Sequence, residues 1–116
     1  CDPQDGDAWV VKNRFSAFIQ GSSNIDELMK AQDIDTLLVT GTVTNVCCES
    51  TARDAAMLNY KVIMVSDGNA ARTDDEHNAT LNNLFNIFTD VQSTDEIVSR
   101  CEAVAAAAPA KRVAEG

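Results

Sequence analysis

At 116 residues, with 45% hydrophobic and 23% charged positions, the chain has the makeup of one folded domain rather than of a disordered or fibrous protein. Its net charge of −9 argues against nucleic-acid backbones and anionic membranes as partners, because both are bound through basic patches that displace counterions. No apolar run reaches the ~18 residues of a membrane span, and no charged-then-apolar secretory leader stands at its start.

In chain order, the first apolar, β-branched run is "AWVVK" (8–12), after the turn formers of "PQDGD"; it predicts a strand ending at Lys12. "SSNIDELMKAQD" (22–33) predicts a helix of two to three turns, capped at Ser23 or Asn24, with Ile25, Leu28 and Met29 at helical spacing. "IDTLLVTG" (34–41) is nearly continuously apolar and stopped by glycine, the pattern of a parallel strand buried on both faces. It passes through "GTVT" into a helix over "NVCCESTARDAAMLNY" (45–60). "KVIMVSD" (61–67) repeats the strand pattern, and "DDEHNATLNNLFNIF" (74–88) predicts a helix with Leu81, Leu84, Phe85 and Phe88 facing inward. A short strand at "DVQS" and a helix from Thr94 to Ala107 complete the series.

Strands alternating with helices at these lengths imply right-handed crossovers and a mainly parallel sheet, hence an α/β fold. The domain is expected over residues 1–107, and residues 108–116, which contain a helix-ending proline and no apolar periodicity, are expected to form a flexible tail. Because the sequence opens at Cys1 without a methionine, it is expected to be a fragment. The four cysteines, Cys1, Cys47, Cys48 and Cys101, show no CxxC pair and no metal-ligand spacing. They read as reduced thiols in a cytoplasmic protein.

Reactive groups in open parallel sheets gather beyond the carboxyl ends of strands. Lys12 and Cys47 are both expected there. A cysteine in the first turn of a helix lies near unpaired backbone N–H groups and the positive end of the helix dipole, which favours thiolate over thiol. A nearby lysine adds to this, and the same N–H groups can hold the oxyanion of a tetrahedral intermediate. Acyl transfer from an amide-like C–N bond follows. The bland alternatives are a cysteine that is simply a small buried apolar residue and a solvated lysine.

Four stretches in this order, "KNRFSAF" (12–18), "TGTVTNVCCESTARDA" (40–55), "VSDGNAA" (65–71) and "EHNATL" (76–81), resemble the isochorismatase-like cysteine hydrolase superfamily, most closely the branch of N-carbamoylsarcosine amidase and ureidoacrylate amidohydrolase. The resemblance runs from about Gly6 to Ile97. It implies a three-layer α-β-α, Rossmann-like fold whose N-terminal part is missing here. It places the nucleophile on Cys47 and the family lysine on Lys12, makes Cys48 a packing residue, and sets a non-proline cis peptide at Thr42–Val43. The backbone N–H groups of Val43 and Cys47 would then form the oxyanion hole, while Thr44 and Asn45 orient substrate or brace the turn. Arg14, Ser16 and Phe18 fix the lysine loop or lie near a subunit contact, and Arg53 and Asp54 are read as an ion-pairing, structural pair.

The resemblance also implies an aspartate general base in a "D-x-Q" motif after the first strand of the sheet. No apolar first strand followed by this motif occurs, and Asp2, Asp5 and Asp7 sit in a turn-rich loop that does not fit the role. His77 is read as solvated or helix-packing rather than as a metal ligand, so no metal and no cofactor are expected. Expected partners are a small-molecule substrate and, in the full-length family member, further copies of itself. The leading expectation is a cysteine-dependent hydrolase of a small amide, ureide or N-carbamoyl compound, this chain being an inactive fragment without the aspartate. The alternatives are a non-catalytic truncated α/β module and, more remotely, a redox pair at Cys47–Cys48, which a strained vicinal ring disfavours.

Overall fold

A computed structural model describes residues 1–108, so the expected tail lies, apart from Ala108, outside the described residues. Helix α1 spans Ile25–Ala31, β1 Thr36–Thr42, a single π-type turn Thr44–Cys48, α2 Glu49–Met57, β2 Lys61–Ala70, α3 Asp74–Ile87, β3 Asp90–Gln92 and α4 Thr94–Ala107. The strands form one sheet in the order β1-β2-β3, and both pairings are parallel.

Residues 8–12 are a correction to the sequence reading: they form no strand. Apolar, β-branched residues extend into a sheet only where a neighbouring edge takes up their N–H and C=O groups. Among the described residues β1 pairs with β2 alone, and Trp9 and Val11 stay 80% and 87% exposed. Ala8 and Val10 instead line an open groove of about 330 Å³ beside α1 and the start of β1.

The core forms where alternation in the strands meets helical spacing. Val39 of β1 and Val62 and Met64 of β2 share one sheet face, and Ala52 and Ala55 of α2 and Leu84 of α3 close over it, with Cys48 in the same cluster. Small alanines let α2 approach the sheet closely; Ala52, Ala55, Met64 and Leu84 are fully buried. Burying a side chain such as Leu84 is worth about 1.5–3 kcal/mol. Phe85, expected inward, is 59% exposed, because Leu81, Leu84 and Phe88 already occupy the stripe that meets the core and Phe85 falls on its flank.

The β1–β2 ladder is regular from Thr36↔Lys61 to Val39↔Met64, then resumes at Gly41↔Asn69. Two steps along β1 thus face five along β2, so residues 65–68 bulge outward. The Asn69 side chain fills the gap, its Nδ2 donating to the carbonyls of Val39 (2.9 Å) and Val65 (2.7 Å). Gly68 lies inside the bulge, and a Cβ there would sit 3.0 Å from Val65 Cγ1 and 3.1 Å from Thr40 Cγ2.

The helix ends follow from local chemistry. Of the two expected caps of α1, Asn24 takes the cap position without a side-chain bond, and it is Ser23 Oγ that accepts from the Ile25 N–H at 3.3 Å. Thr73 caps α3, and Ser93 and Glu96 form a reciprocal capping box on α4. Asp67 Oδ1, at the end of the bulge, accepts from both the N–H and the hydroxyl of Thr94 at 2.8 Å. This ties the start of α4 to β2, and the two bonds lower the Asp67 pKa.

Tyr60, after α2, docks on α1: its hydroxyl donates to Asp26 Oδ1 at 2.5 Å, and Lys30 donates to Asp26 Oδ2 at 2.7 Å. Lys30 first and Tyr60 second hold the Asp26 carboxyl below its ordinary pKa, while the carboxylate pushes the Tyr60 phenol up to about 12. The contact therefore persists at neutral pH. It is lost on the acid side as Asp26 protonates below its ordinary range, and on the alkaline side as pH rises from 10 through about 12. Tyr60 is the single tyrosine, so its phenolate absorbance is directly readable. A titration midpoint near 12 is expected, falling back toward 10 in Asp26→Asn; an ordinary midpoint in the unsubstituted chain would contradict the contact.

Candidate active site

The end of β1 turns sharply into α2. Gly41 has φ +128° and Thr42–Val43 is a cis peptide, at the position that the family resemblance implied. The helix expected over 45–60 is divided: a π-type turn covers Thr44–Cys48 before α2 begins at Glu49. The Val43 carbonyl accepts from the N–H groups of Val46 (3.0 Å) and Cys48 (3.4 Å), which closes the turn.

The two adjacent cysteines face different surroundings. Cys48 is 5% exposed within the core cluster, whereas Cys47 is half-buried. All four cysteines are free thiols. Burial pushes the Cys48 thiol up, the neighbouring Cys47 raises it further, and the Lys12 ammonium opposes the rise. Lys12 thus lies near enough to act on Cys48, although its Nζ donates to the carbonyls of Arg14 (2.8 Å) and Phe15 (3.1 Å) rather than to a sulfur.

The lysine loop is held on α2 by bonds that sequence reading did not find. The Ala17 N–H donates to Thr51 Oγ1 at 3.1 Å, and Thr51 lies one helical turn after Cys47. Ser22 Oγ donates to the Ser16 carbonyl at 2.6 Å, Ser23 Oγ to the Ala17 carbonyl at 2.8 Å, and the Asn13 N–H to the Ser22 carbonyl at 3.2 Å. Ser16 is buried by this closure, and the Phe18 ring packs at 5.4 Å from that of Tyr60. Arg14 projects into an open groove with Phe15, Ile19, Arg53 and Met57. Arg53 pairs with Glu49 at 3.2 Å and lies 4.6 Å over the Phe88 ring, so its role is structural but its partner is not Asp54.

Thr44 and Asn45 part company. Thr44 is fully buried and its hydroxyl meets His77 Nδ1 at 2.8 Å, while His77 Nε2 meets the Ser66 carbonyl at 3.0 Å. His77 is therefore a packing histidine with both ring nitrogens engaged, not a solvated one. The only hint in the sequence is a lone histidine just inside a helix start. Asn45 Oδ1 is buried with no protein partner, so that oxygen does not brace the turn. Among the described residues no carboxylate bonds Lys12 or pairs with it, and no group of three or more His, Cys, Asp or Glu side chains is gathered for a metal. Asp2, Asp5 and Asp7 are exposed, and no described helix is long and apolar enough to cross a membrane.

At this edge of the parallel sheet the fold thus gathers a half-buried cysteine at a strand-to-helix turn, a cis peptide before it and a lysine loop beside it. The isochorismatase domain matches residues 1–96, and the chain belongs to that family. It is 38% identical over 106 residues to a ureidoacrylate amidohydrolase of Stutzerimonas stutzeri, covering 90% of this chain and 41% of that protein. A cysteine hydrolase from Pseudomonas syringae pv. phaseolicola superposes with a TM-score of 0.83 at 37% identity, covering 88% of this chain and 52% of the other. N-carbamoylsarcosine amidase from Thermoplasma acidophilum does so at 0.70 and 31%, covering 80% and 51%. The chain thus spans about half the length of the proteins it matches, or less, and its parallel fold is that of isochorismatase-like hydrolases.

The contrast between the two cysteines can be measured by peptide-resolved alkylation of the folded chain. Iodoacetamide should modify Cys47 at least ~10-fold faster than Cys48, whose thiol is both buried and held protonated. Urea unfolding should level the two rates. Equal rates in the folded chain would contradict this division.

Proposed function

We propose that this chain carries the nucleophile and the lysine of a cysteine-dependent hydrolase acting on a small amide, ureide or N-carbamoyl compound. The observation that carries the reading is Cys47, half-exposed at the β1–α2 turn while its neighbour Cys48 is buried in the core. Ureidoacrylate amidohydrolases and an N-carbamoylsarcosine amidase among the related proteins support the substrate class.

In this reading Cys47 Sγ adds to the substrate carbonyl carbon, and the resulting oxyanion accepts from the backbone N–H groups of Val43 and Cys47. The C–N bond then breaks, nitrogen leaves with a proton, and water hydrolyses the thioester to release the acid and restore the thiol. Lys12 lends positive charge to the thiolate and the oxyanion. Proton delivery to nitrogen is the role of the aspartate in the family's "D-x-Q" motif after the first strand of the sheet; the D-x-Q triplets of this sequence lie instead in the exposed loop at residues 2–4 and in β3. A positioned acid or base is worth roughly 10²–10⁴ in rate, so the isolated 116-residue chain is expected to turn over poorly. The same reading gives the full-length enzyme a cytoplasmic location, a small-molecule substrate and a homo-oligomeric state.

A second reading, a non-catalytic α/β module, draws on the missing motif and on the half-length match to relatives. The two separate when the gene's upstream coding sequence is included. The enzyme reading expects the longer protein to release ammonia from a ureido, carbamoyl or simple amide in a substrate panel. It also expects a Cys47 acyl adduct visible by intact mass, and Cys47→Ser to lower kcat/KM by at least ~10³. A longer protein that lacks an aspartate motif and hydrolyses none of the panel would establish the module instead.

A further inference from the structure

The turn that carries Cys47 is fastened from outside by one side chain. Ser66 offers His77 Nε2 a backbone carbonyl, which only accepts, so Nε2 must carry the ring proton. In the neutral ring Nδ1 is then an acceptor, and the Thr44 hydroxyl donates to it. Thr44 is fully buried and opens the π-type turn, three residues before Cys47. Ser66 lies in the bulge of β2 that Asn69 holds against β1. His77 sits in the first full turn of α3, whose start is fixed by the Thr73 cap. One imidazole therefore joins three elements: the nucleophile turn, the β2 bulge and α3.

We infer that His77 is a positioning residue, which sets the Cys47 turn through the Thr44 hydroxyl. The inference deepens the proposed reaction and rests on the reading of Cys47 as its nucleophile. The backbone N–H groups of Val43 and Cys47 flank Thr44 on either side in sequence. Holding the Thr44 side chain therefore fixes the direction of both donors as well as that of the sulfur. The same reach would be lost with any residue that docks α3 on β2 but leaves Thr44 unpaired.

Two conservative substitutions separate positioning from mere helix docking, since an asparagine amide reproduces the Nδ1 end of histidine and a glutamine amide the Nε2 end. His77→Asn can still accept from Thr44; His77→Gln can still donate to the Ser66 carbonyl but not reach Thr44. In the 116-residue chain, Cys47 alkylation should slow by roughly tenfold in His77→Gln and in Thr44→Val, with no further loss when the two are combined. It should stay within about threefold of the unsubstituted rate in His77→Asn and Thr44→Ser. In the full-length protein the same two impaired variants should lose kcat with KM little changed.

The Tyr60 phenolate midpoint near 12 reports that each variant is folded. Where the histidine variants lose it, the Thr44→Val and Thr44→Ser pair decides alone. Full Cys47 reactivity in Thr44→Val, or equal impairment of His77→Asn and His77→Gln, would overturn the inference. A full-length protein that hydrolyses nothing would sink the proposed reaction, while the alkylation pattern would still decide the role of His77.

Discussion

The structure turns on the place where the β1–β2 ladder breaks. Parallel strands must deliver their last residues to the same edge of the sheet for a site to form there. Here β2 carries three more residues than β1 between its two ladder segments. Left alone, such a bulge would strand two carbonyls. Asn69 answers them both with a single amide, and an unmet buried carbonyl would cost about 1–3 kcal/mol each. Restoring the register brings Gly41 and Thr42 alongside Asn69 and Ala70, so the Thr44–Cys48 turn leaves β1 at a defined height. The bulge in turn presents Ser66 to His77 and Asp67 to Thr94, and so sets where α3 and α4 begin.

From that point the two cysteines diverge in their surroundings, Cys48 buried and Cys47 half-buried. Cys48 enters the core with Ala52, Ala55 and Met64, which anchors the first residues of α2. That anchoring keeps Cys47 off the core, because successive residues of a helical turn point in different directions. The lysine loop arrives through a separate route, the bond from Ala17 to Thr51 on the outer side of α2. Lys12 is then spent partly on the carbonyls of Arg14 and Phe15, which fix its ammonium at a distance from which its charge still reaches Cys48.

The regular elements were legible because they depend on short-range patterns. "KVIMVSD" and "DDEHNATLNNLFNIF" carry strand and helix periodicities that their own burial then satisfies. "AWVVK" failed by the same measure: its residues are as strand-prone as those of β2, but strand formation needs a partner edge, and that is a property of the fold rather than of the run. The division of the expected helix at Glu49 was equally hidden, since nothing in "NVCCEST" distinguishes a π-type turn from the opening of an α-helix. The positions proposed for the nucleophile and the lysine came from motif resemblance, as did that of the cis peptide. Their surroundings did not.

Three of the bonds that fix those surroundings are long-range. Thr44 and His77 are 33 residues apart, Ala17 and Thr51 34, and Val39 and Asn69 30. Each pair brings a polar side chain onto a group from a distant element, and Thr44 and Asn69 are buried polar residues beside the apolar core. Polar residues there persist only when paired, because burying them alone costs more than an apolar substitute would. A threonine, a histidine and an asparagine inside the layer therefore point to partners across the fold before those partners are known. Thr51 is half-buried, one turn beyond Cys47, and follows the same logic. Cys47 thus lies between two threonines, Thr44 and Thr51, that are each engaged by residues more than thirty positions away.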